Sequence, residues 1–175
     1  MRRKAFLRRF GGDARGVAAV EMALVGGVLS VAMLNAVEVG RYAYLATQVS
    51  AATQAGAHAA IVGCSPTETP VTINCPEVNG EILTAIQGSS LGDQVTLHEA
   101  ISERWYCLTE SGTLQDMAAA NARPANCADA GDASQAPALY VRVRTEYTYE
   151  PLFPGLTIAE MFAGEIVRTA WMRLR

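Results

Sequence analysis

The sequence has little of what enzymes commonly use for chemistry. Of its 175 residues only two are histidines, His58 and His98, and neither has an obvious partner for acid–base or nucleophilic chemistry. The chain contains no G-x-S-x-G, no H-E-x-x-H and no phosphate-binding loop. An enzyme is therefore not expected, and neither catalytic residues nor a cofactor are predicted. Glu99 and Glu103, on a predicted strand, are interpreted as part of a solvent-exposed edge.

Positive charge is scarce outside the first sixteen residues. Residues 1–16 contain six Lys or Arg residues against Asp13, a net charge of +5, whereas the whole chain has a net charge of −3. Residues 17–175 therefore carry −8, which argues against general nucleic-acid binding, because that binding depends on Lys and Arg neutralising phosphates. By the positive-inside rule, the basic cluster predicts a cytoplasmic N-terminus and a periplasmic remainder.

Charge is also missing from a long apolar run near the N-terminus. Residues 22–37 have no charged side chain, and the apolar stretch 17–37 is interrupted only by Glu21. About 20 residues are needed to cross a bilayer, so residues 17–38 are predicted to form a transmembrane helix. A carboxylate at the bilayer centre costs about 2.5–3.5 kcal/mol, and one in such a run usually marks function.

A cleaved secretory signal peptide is the main alternative for this run. Signal peptidase needs a small-x-small site just after the apolar stretch, and residues 36–41 offer none. An uncleaved signal anchor remains open on these observations.

The absence of proline from residues 39–62 predicts that the helix continues past the membrane. The first expected stop is Gly63, so a continuous helix 17–62 would be about 69 Å long. Its outer half carries small and apolar residues at three- and four-residue steps, namely Leu45, Val49, Ala52, Gly56 and Ala59. This narrow face must be covered by another part of the chain.

All four cysteines follow the predicted membrane segment, at Cys64, Cys75, Cys107 and Cys127. An even number in an exported domain predicts two disulfides, for which three pairings are possible. Sequence proximity favours Cys64 with Cys75 and Cys107 with Cys127, each stabilising by about 2–4 kcal/mol. No metal site is expected, because there is no C-x-x-C spacing and neither histidine lies beside the cysteines.

Residues 63–175 are predicted to form a disulfide-linked head domain. Alternation of apolar and polar side chains makes residues 139–149 the clearest strand, and proline near the start with Gly88 near the end predicts a helix at 76–87. The other expectations are a short strand at 71–73, a strand-like stretch at 95–108, a long loop at 109–137 with a helical turn at 114–120, a short connector at 158–162 and a final strand at 165–174. An antiparallel sheet covering the apolar stripe would give an α+β fold, a long N-terminal transmembrane-plus-amphipathic helical stalk with a small antiparallel sheet head.

Two patches of sequence resemble a known family. They are R-G-V-A-A-V-E-M-A-L at residues 15–24 and V-E-V-G-R at residues 37–41, with a weaker match in Y-E-P-L-F-P at residues 149–154. The chain resembles the TadE-like family, minor pilins (pseudopilins) of the tight-adherence, Flp-type pilus system. The resemblance is specific over residues 9–60 and loose over the head.

The resemblance implies that a membrane prepilin peptidase removes the basic leader, residues 1–16, by cutting between Gly16 and Val17. Cleavage would create a new α-amine on Val17, with a reference pKa near 7.7–8.0. In an assembly, Glu21 of one subunit is expected to pair with that amine on a neighbour, since a buried unpaired carboxylate is costly. An interfacial glutamate that reaches the headgroups is the alternative for Glu21.

The second patch lies between the two halves of the helix. Glu38 and Arg41 are three residues apart and can meet on the helix surface. Together with Gly40 they are candidates for a helix–helix interface, and an interfacial anchoring role for this patch does not exclude such packing.

These observations favour a minor pilin of the inner membrane that is needed for initiation or assembly of an adhesive Tad-type pilus. Its expected partners are the prepilin peptidase, other minor pilins, the major Flp-type pilin, the inner-membrane assembly platform and the lipid bilayer, but not nucleic acid. The assembled pilus would carry the subunit outside the cell. The alternative is an uncleaved single-pass envelope protein whose periplasmic head binds a ligand or a partner.

Overall fold

The long helix predicted from the sequence is present. The structure is a computed structural model that describes residues 14–64, 68–162 and 164–175. Helix α1 extends over Ala14–Val62, so it begins three residues before the predicted start and ends at the predicted residue. Gly63 closes it by donating its N–H to the carbonyl of Ala59 at 2.9 Å, as glycine often does after a helix. The predicted leader lies, for residues 1–13, outside the described residues.

The chain divides into two compact units, and α1 contributes to both. The described part of the first unit comprises residues 14–42 and 150–162. The second unit comprises residues 43–149 and 164–175, which include the outer part of α1 and all strands of the described chain.

The second unit is built around one long strand, β4, at Ala138–Tyr149. The other four strands are β1 (Thr96–Leu97), β2 (Ser102–Leu108), β3 (Leu114–Ala119) and β5 (Gly164–Arg173). Strand β4 pairs antiparallel with β5 on one side and with β1 and β2 on the other, and β3 extends the sheet by pairing with β2. The α+β prediction, a helical stalk with an antiparallel sheet head, is confirmed.

The outer part of α1 covers one face of this sheet. Four of the five predicted stripe residues are buried and Ala59 is half-buried. A buried pair of hydroxyls joins helix to sheet: Thr53 donates to the Val49 carbonyl, and Thr145 lies 2.6 Å from the Thr53 hydroxyl. Alternation along β4 places Thr145 on the same buried face as its apolar neighbours.

Two short helices follow α1. Helix α3, Val78–Gln87, confirms the predicted helix at 76–87, with Val78, Ile82 and Ile86 buried. The short strand predicted at 71–73 is wrong, since Val71–Asn74 forms helix α2.

A buried carboxylate explains α2. Glu103 of β2 is only 6% exposed, and its carboxylate accepts the N–H groups of Val71 at 3.2 Å and Thr72 at 2.9 Å. These are two of the donors that a helix start leaves without partners. The interpretation of Glu103 as part of a solvent-exposed edge was therefore wrong.

The helical turn predicted at 114–120 is also wrong, because this stretch is strand β3. Thr109 donates its N–H to the Thr113 carbonyl at 2.9 Å, and Gly112 takes a φ of +78° in the connection to β2. Such a φ strains residues other than glycine, so the turn fixes the hairpin locally. Pairing with β2 then outweighs the helical preference of the alanines in β3.

The four cysteines form two disulfides. Cys64 is bonded to Cys75, and Cys107 to Cys127. Cys107 and Cys127 lie buried with Ala130 and the partly buried Met117, so this bond closes a small core beside β3. The 109–137 stretch, predicted to be largely loop, therefore contains a strand and a disulfide at its base.

Candidate functional site

The predicted cleavage site and Glu21 lie in the first turns of α1. Gly16, Val17 and Glu21 are all exposed, and apart from its chain neighbours and the backbone of α1 no described atom lies within 4 Å of where a side chain on Gly16 would begin. Within the described residues Glu21 has no hydrogen-bond or ion-pair partner. The structure thus places the three residues on one accessible stretch of helix.

The surroundings of Glu21 are apolar. From residue 17 to residue 33 every side chain is exposed, including Val20, Leu24, Val25, Val28, Leu29 and Met33. Within the helix from Gly16 onward, an 18-residue window has a mean hydropathy of 2.1, so the helix is long and apolar enough to cross a membrane. A carboxylate in that setting needs a cationic partner or a route to water.

Glu38 has the opposite environment. Its side chain is fully buried, and its Oε1 accepts the N–H of Leu152 at 2.9 Å. Arg41 Nη1 lies 3.7 Å from the same oxygen and donates to the carbonyl of Glu150 at 2.7 Å. The two residues meet as their spacing predicts, but they do so beneath a segment more than 100 residues away in the sequence.

Two further residues of α1 hold the same segment, and neither contact was predicted from the sequence. Asn35 Oδ1 accepts the N–H of Ile158 at 2.8 Å, and the ring of Tyr42 stacks on that of Phe162 with centroids 5.1 Å apart. Asn35, Glu38 and Arg41 follow one another at steps of three, so they lie along one side of the helix. The sequence signal that could have revealed this contact is a polar residue at every third position directly after the apolar run.

Gly40 is different from its neighbours. It is exposed, and apart from its chain neighbours and the backbone of α1 no described atom lies within 4 Å of the position a Cβ would take. Of the three residues predicted to form a helix–helix interface, Glu38 and Arg41 are thus occupied within the chain, whereas Gly40 is open to a second molecule.

One histidine does have an acidic neighbour that the sequence did not reveal. His98 Nδ1 lies 2.6 Å from Glu146 Oε2, and the carboxylate of Glu165 lies close enough to complete a group of three potential metal ligands. His98 and Glu165 are exposed, and a His–carboxylate hydrogen bond accounts for the contact.

Comparison with known proteins supports the resemblance found in the sequence. Residues 16–58 match the model of the family described as TadE-like protein. Neither the curated proteins nor the solved structures yield a significant match. The match begins at the predicted cleavage glycine and includes Glu21, Glu38, Gly40 and Arg41. Over this segment of α1 the chain is thus similar to the TadE-like proteins, a family of the Tad pilus.

Proposed function

We propose that this protein is a minor pilin, processed by a prepilin peptidase and needed for initiation or assembly of a Tad-type adhesive pilus. The observation that carries the proposal is the exposed Gly16–Val17 junction followed by an exposed Glu21 on an apolar helix of the TadE-like family. In a soluble protein such a helix would expose its apolar side chains to water, whereas in a membrane-inserted subunit lipid covers them.

Processing changes the charge at the start of the helix. Water adds across the Gly16–Val17 peptide bond, which leaves a carboxylate on Gly16 and an ammonium group on Val17. Removal of the leader removes its net charge of +5, so the mature chain lacks the basic cluster that holds the N-terminus on the cytoplasmic side. The new amine has a reference pKa near 7.7–8.0 and is largely protonated at neutral pH.

Glu21 supplies the complementary charge. A carboxylate and an ammonium group that are both surrounded by apolar side chains gain most from pairing with each other. Pairing between Glu21 of one subunit and the Val17 amine of a neighbour would fix the axial position at which each subunit is added. Removal of either charge would leave the other buried alone.

The proposed location follows from the same charges. The precursor lies in the inner membrane with a cytoplasmic N-terminus and a periplasmic head, and the assembled pilus carries it outside the cell. Its partners are the peptidase, other minor pilins, the major Flp-type pilin and the assembly platform.

The first test is the N-terminal residue of the membrane-extracted protein, measured by mass spectrometry in cells with and without the prepilin peptidase. We expect a start at Val17 that requires the peptidase. An intact Met1 or Arg2 start in both strains would contradict the proposal and favour an uncleaved envelope protein. Gly16→Leu is the matched variant, and it should keep its leader even when the peptidase is present, because an extended glycine fits a protease cleft more closely than leucine.

A further inference from the structure

A second apolar surface lies next to the membrane-length part of α1. It is formed by the 150–162 segment, which has thirteen residues, of which seven are apolar and only Glu150 and Glu160 are charged. Five of its apolar side chains are exposed, namely Leu152, Leu156, Ile158, Met161 and Phe162. Met161 is 82% exposed and Leu156 62%. A short segment that exposes this many large apolar side chains is suited to an apolar neighbour.

The helix fixes the depth of this segment. Asn35, which binds the Ile158 N–H, is eighteen residues beyond Val17, or about 27 Å along the helix. The hydrocarbon core of a bilayer is about 30 Å thick. If the core begins near Val17, Asn35 and Glu38 lie at its outer boundary, and the segment that they hold lies there too.

Three backbone N–H groups of the segment have side-chain acceptors, as is needed where little water is available. Side chains accept the N–H groups of Leu152, Gly155 and Ile158, through Glu38, Glu160 and Asn35 respectively. Irregular backbone at a membrane boundary needs such partners, because unsatisfied N–H groups are costly in lipid.

A tight turn directs the middle of the segment outward. Pro154 and Gly155 occupy its central positions, with Gly155 at a φ of +79° and the Leu156 N–H donating to the Phe153 carbonyl at 3.3 Å. Proline followed by glycine at positive φ is the type II arrangement. Leu156 therefore follows directly on a fixed bend and is exposed with its neighbours.

We propose that the 150–162 segment is a second membrane contact, inserted at the outer boundary of the lipid core beside α1. Its occupant is the acyl-chain region of the outer leaflet, because the exposed apolar side chains continue the exposed apolar surface of α1 within the same unit. Asn35, Glu38 and Arg41 hold the segment at that depth. The inference rests on α1 crossing a bilayer, which is part of the proposed function, but not on cleavage or piliation.

The test places a fluorescent reporter on the segment in the full-length chain. Leu156→Trp and Met161→Trp are each reconstituted in vesicles of phosphatidylcholine and phosphatidylglycerol, with and without bromine on the acyl chains of the phosphatidylcholine. The unsubstituted chain, with Trp105 and Trp171, gives the baseline emission. Leu29→Trp reports on the helix, and Leu114→Trp on β3 is the matched exposed site in the sheet.

We expect brominated lipid to remove most of the added emission from Leu156→Trp, Met161→Trp and Leu29→Trp, and little from Leu114→Trp. Quenching of Leu29→Trp alone would overturn the proposal, leave the helix in the membrane and assign this apolar surface to a protein neighbour. Absence of quenching at Leu29 as well would contradict membrane insertion of α1 itself. Quenching of Leu114→Trp equal to that of the two segment variants would also overturn the proposal, since the segment would then contact lipid no more than the sheet does.

Discussion

At the scale of single residues, α1 uses two glutamates in opposite ways. Glu38 is buried and accepts a backbone hydrogen bond within its own chain, whereas Glu21 is exposed among apolar side chains. A buried carboxylate with its partners in place contributes to the fold, and an exposed one in a membrane-length helix is available to another molecule. The two positions therefore predict different mutant phenotypes.

For Glu21 we expect a loss of assembly without a loss of folding. Glu21→Ala should still be cleaved at Gly16, keep both disulfides and fail to support piliation, because the Val17 amine then lacks its partner. Pilus counts by electron microscopy, together with the N-terminal mass, measure both properties. Normal piliation of this variant would rule out the charge pairing, and Glu21→Asp provides the control that keeps the charge.

For Glu103 we expect a loss of stability instead. Glu103→Ala removes the acceptor of two backbone N–H groups at the start of α2 and should lower the free energy of unfolding by about 1–3 kcal/mol. Glu99→Ala is the comparison, since Glu99 is partly exposed and pairs with Arg142 at 3.0 Å, an arrangement worth about 0–1 kcal/mol. Thermal unfolding of the detergent-solubilised chain compares the two, and equal effects would contradict the capping role.

At the scale of elements, α1 and α3 each contain an interior glycine, but the two glycines have different surroundings. A Cβ on Gly56 of α1 would lie 2.6 Å from Cγ1 of Ile86, whereas one on Gly80 of α3 would meet no described atom within 4 Å beyond its chain neighbours and the backbone of α3. Gly56 thus allows α1 and α3 to approach each other closely, and Gly80 has no such role.

Substitution by alanine should separate these two cases. Gly80→Ala should raise the free energy of unfolding by about 0.5–1 kcal/mol through helix propensity. Gly56→Ala should lower the free energy of unfolding, since overpacking against Ile86 costs about 1–3 kcal/mol and exceeds the gain in helix propensity. Opposite shifts of the unfolding midpoint are the expected result, and two increases would mean that Ile86 moves aside freely.

The elements also show where sequence patterns suffice. Helix α1 could be predicted from its long apolar run without proline, and strand β4 from the alternation of apolar and polar side chains along its own residues. Helix α2 and strand β3 could not, because α2 depends on the carboxylate of Glu103 more than 30 residues later and β3 on pairing with β2. The site divides in the same way: the Glu38–Arg41 contact follows from spacing, but the segment that covers it is 109 residues from Arg41.

At the scale of the whole molecule, the first disulfide precedes β2 in the sequence, the second starts within β2 at Cys107, and both belong to the second unit. Non-reducing peptide mapping of exported protein should recover Cys64 linked to Cys75 and Cys107 linked to Cys127. Loss of the second bond should be the more destabilising of the two, because Cys107 and Cys127 are both buried. Free thiols at these positions in exported protein would contradict the pairing.

The register of β4 and β5 determines how the 150–162 segment can be removed from this protein. Tyr149 pairs directly with Gly164, so the 150–162 segment leaves and re-enters the sheet at two points about 5 Å apart. In engineering terms it is a removable insert: a two-residue Asn-Gly turn would bridge the gap and leave the hairpin intact. A chain shortened in this way should keep its sheet and disulfides while losing every contact to Asn35, Glu38 and Arg41, so the hold on the helix can be deleted without dismantling the head.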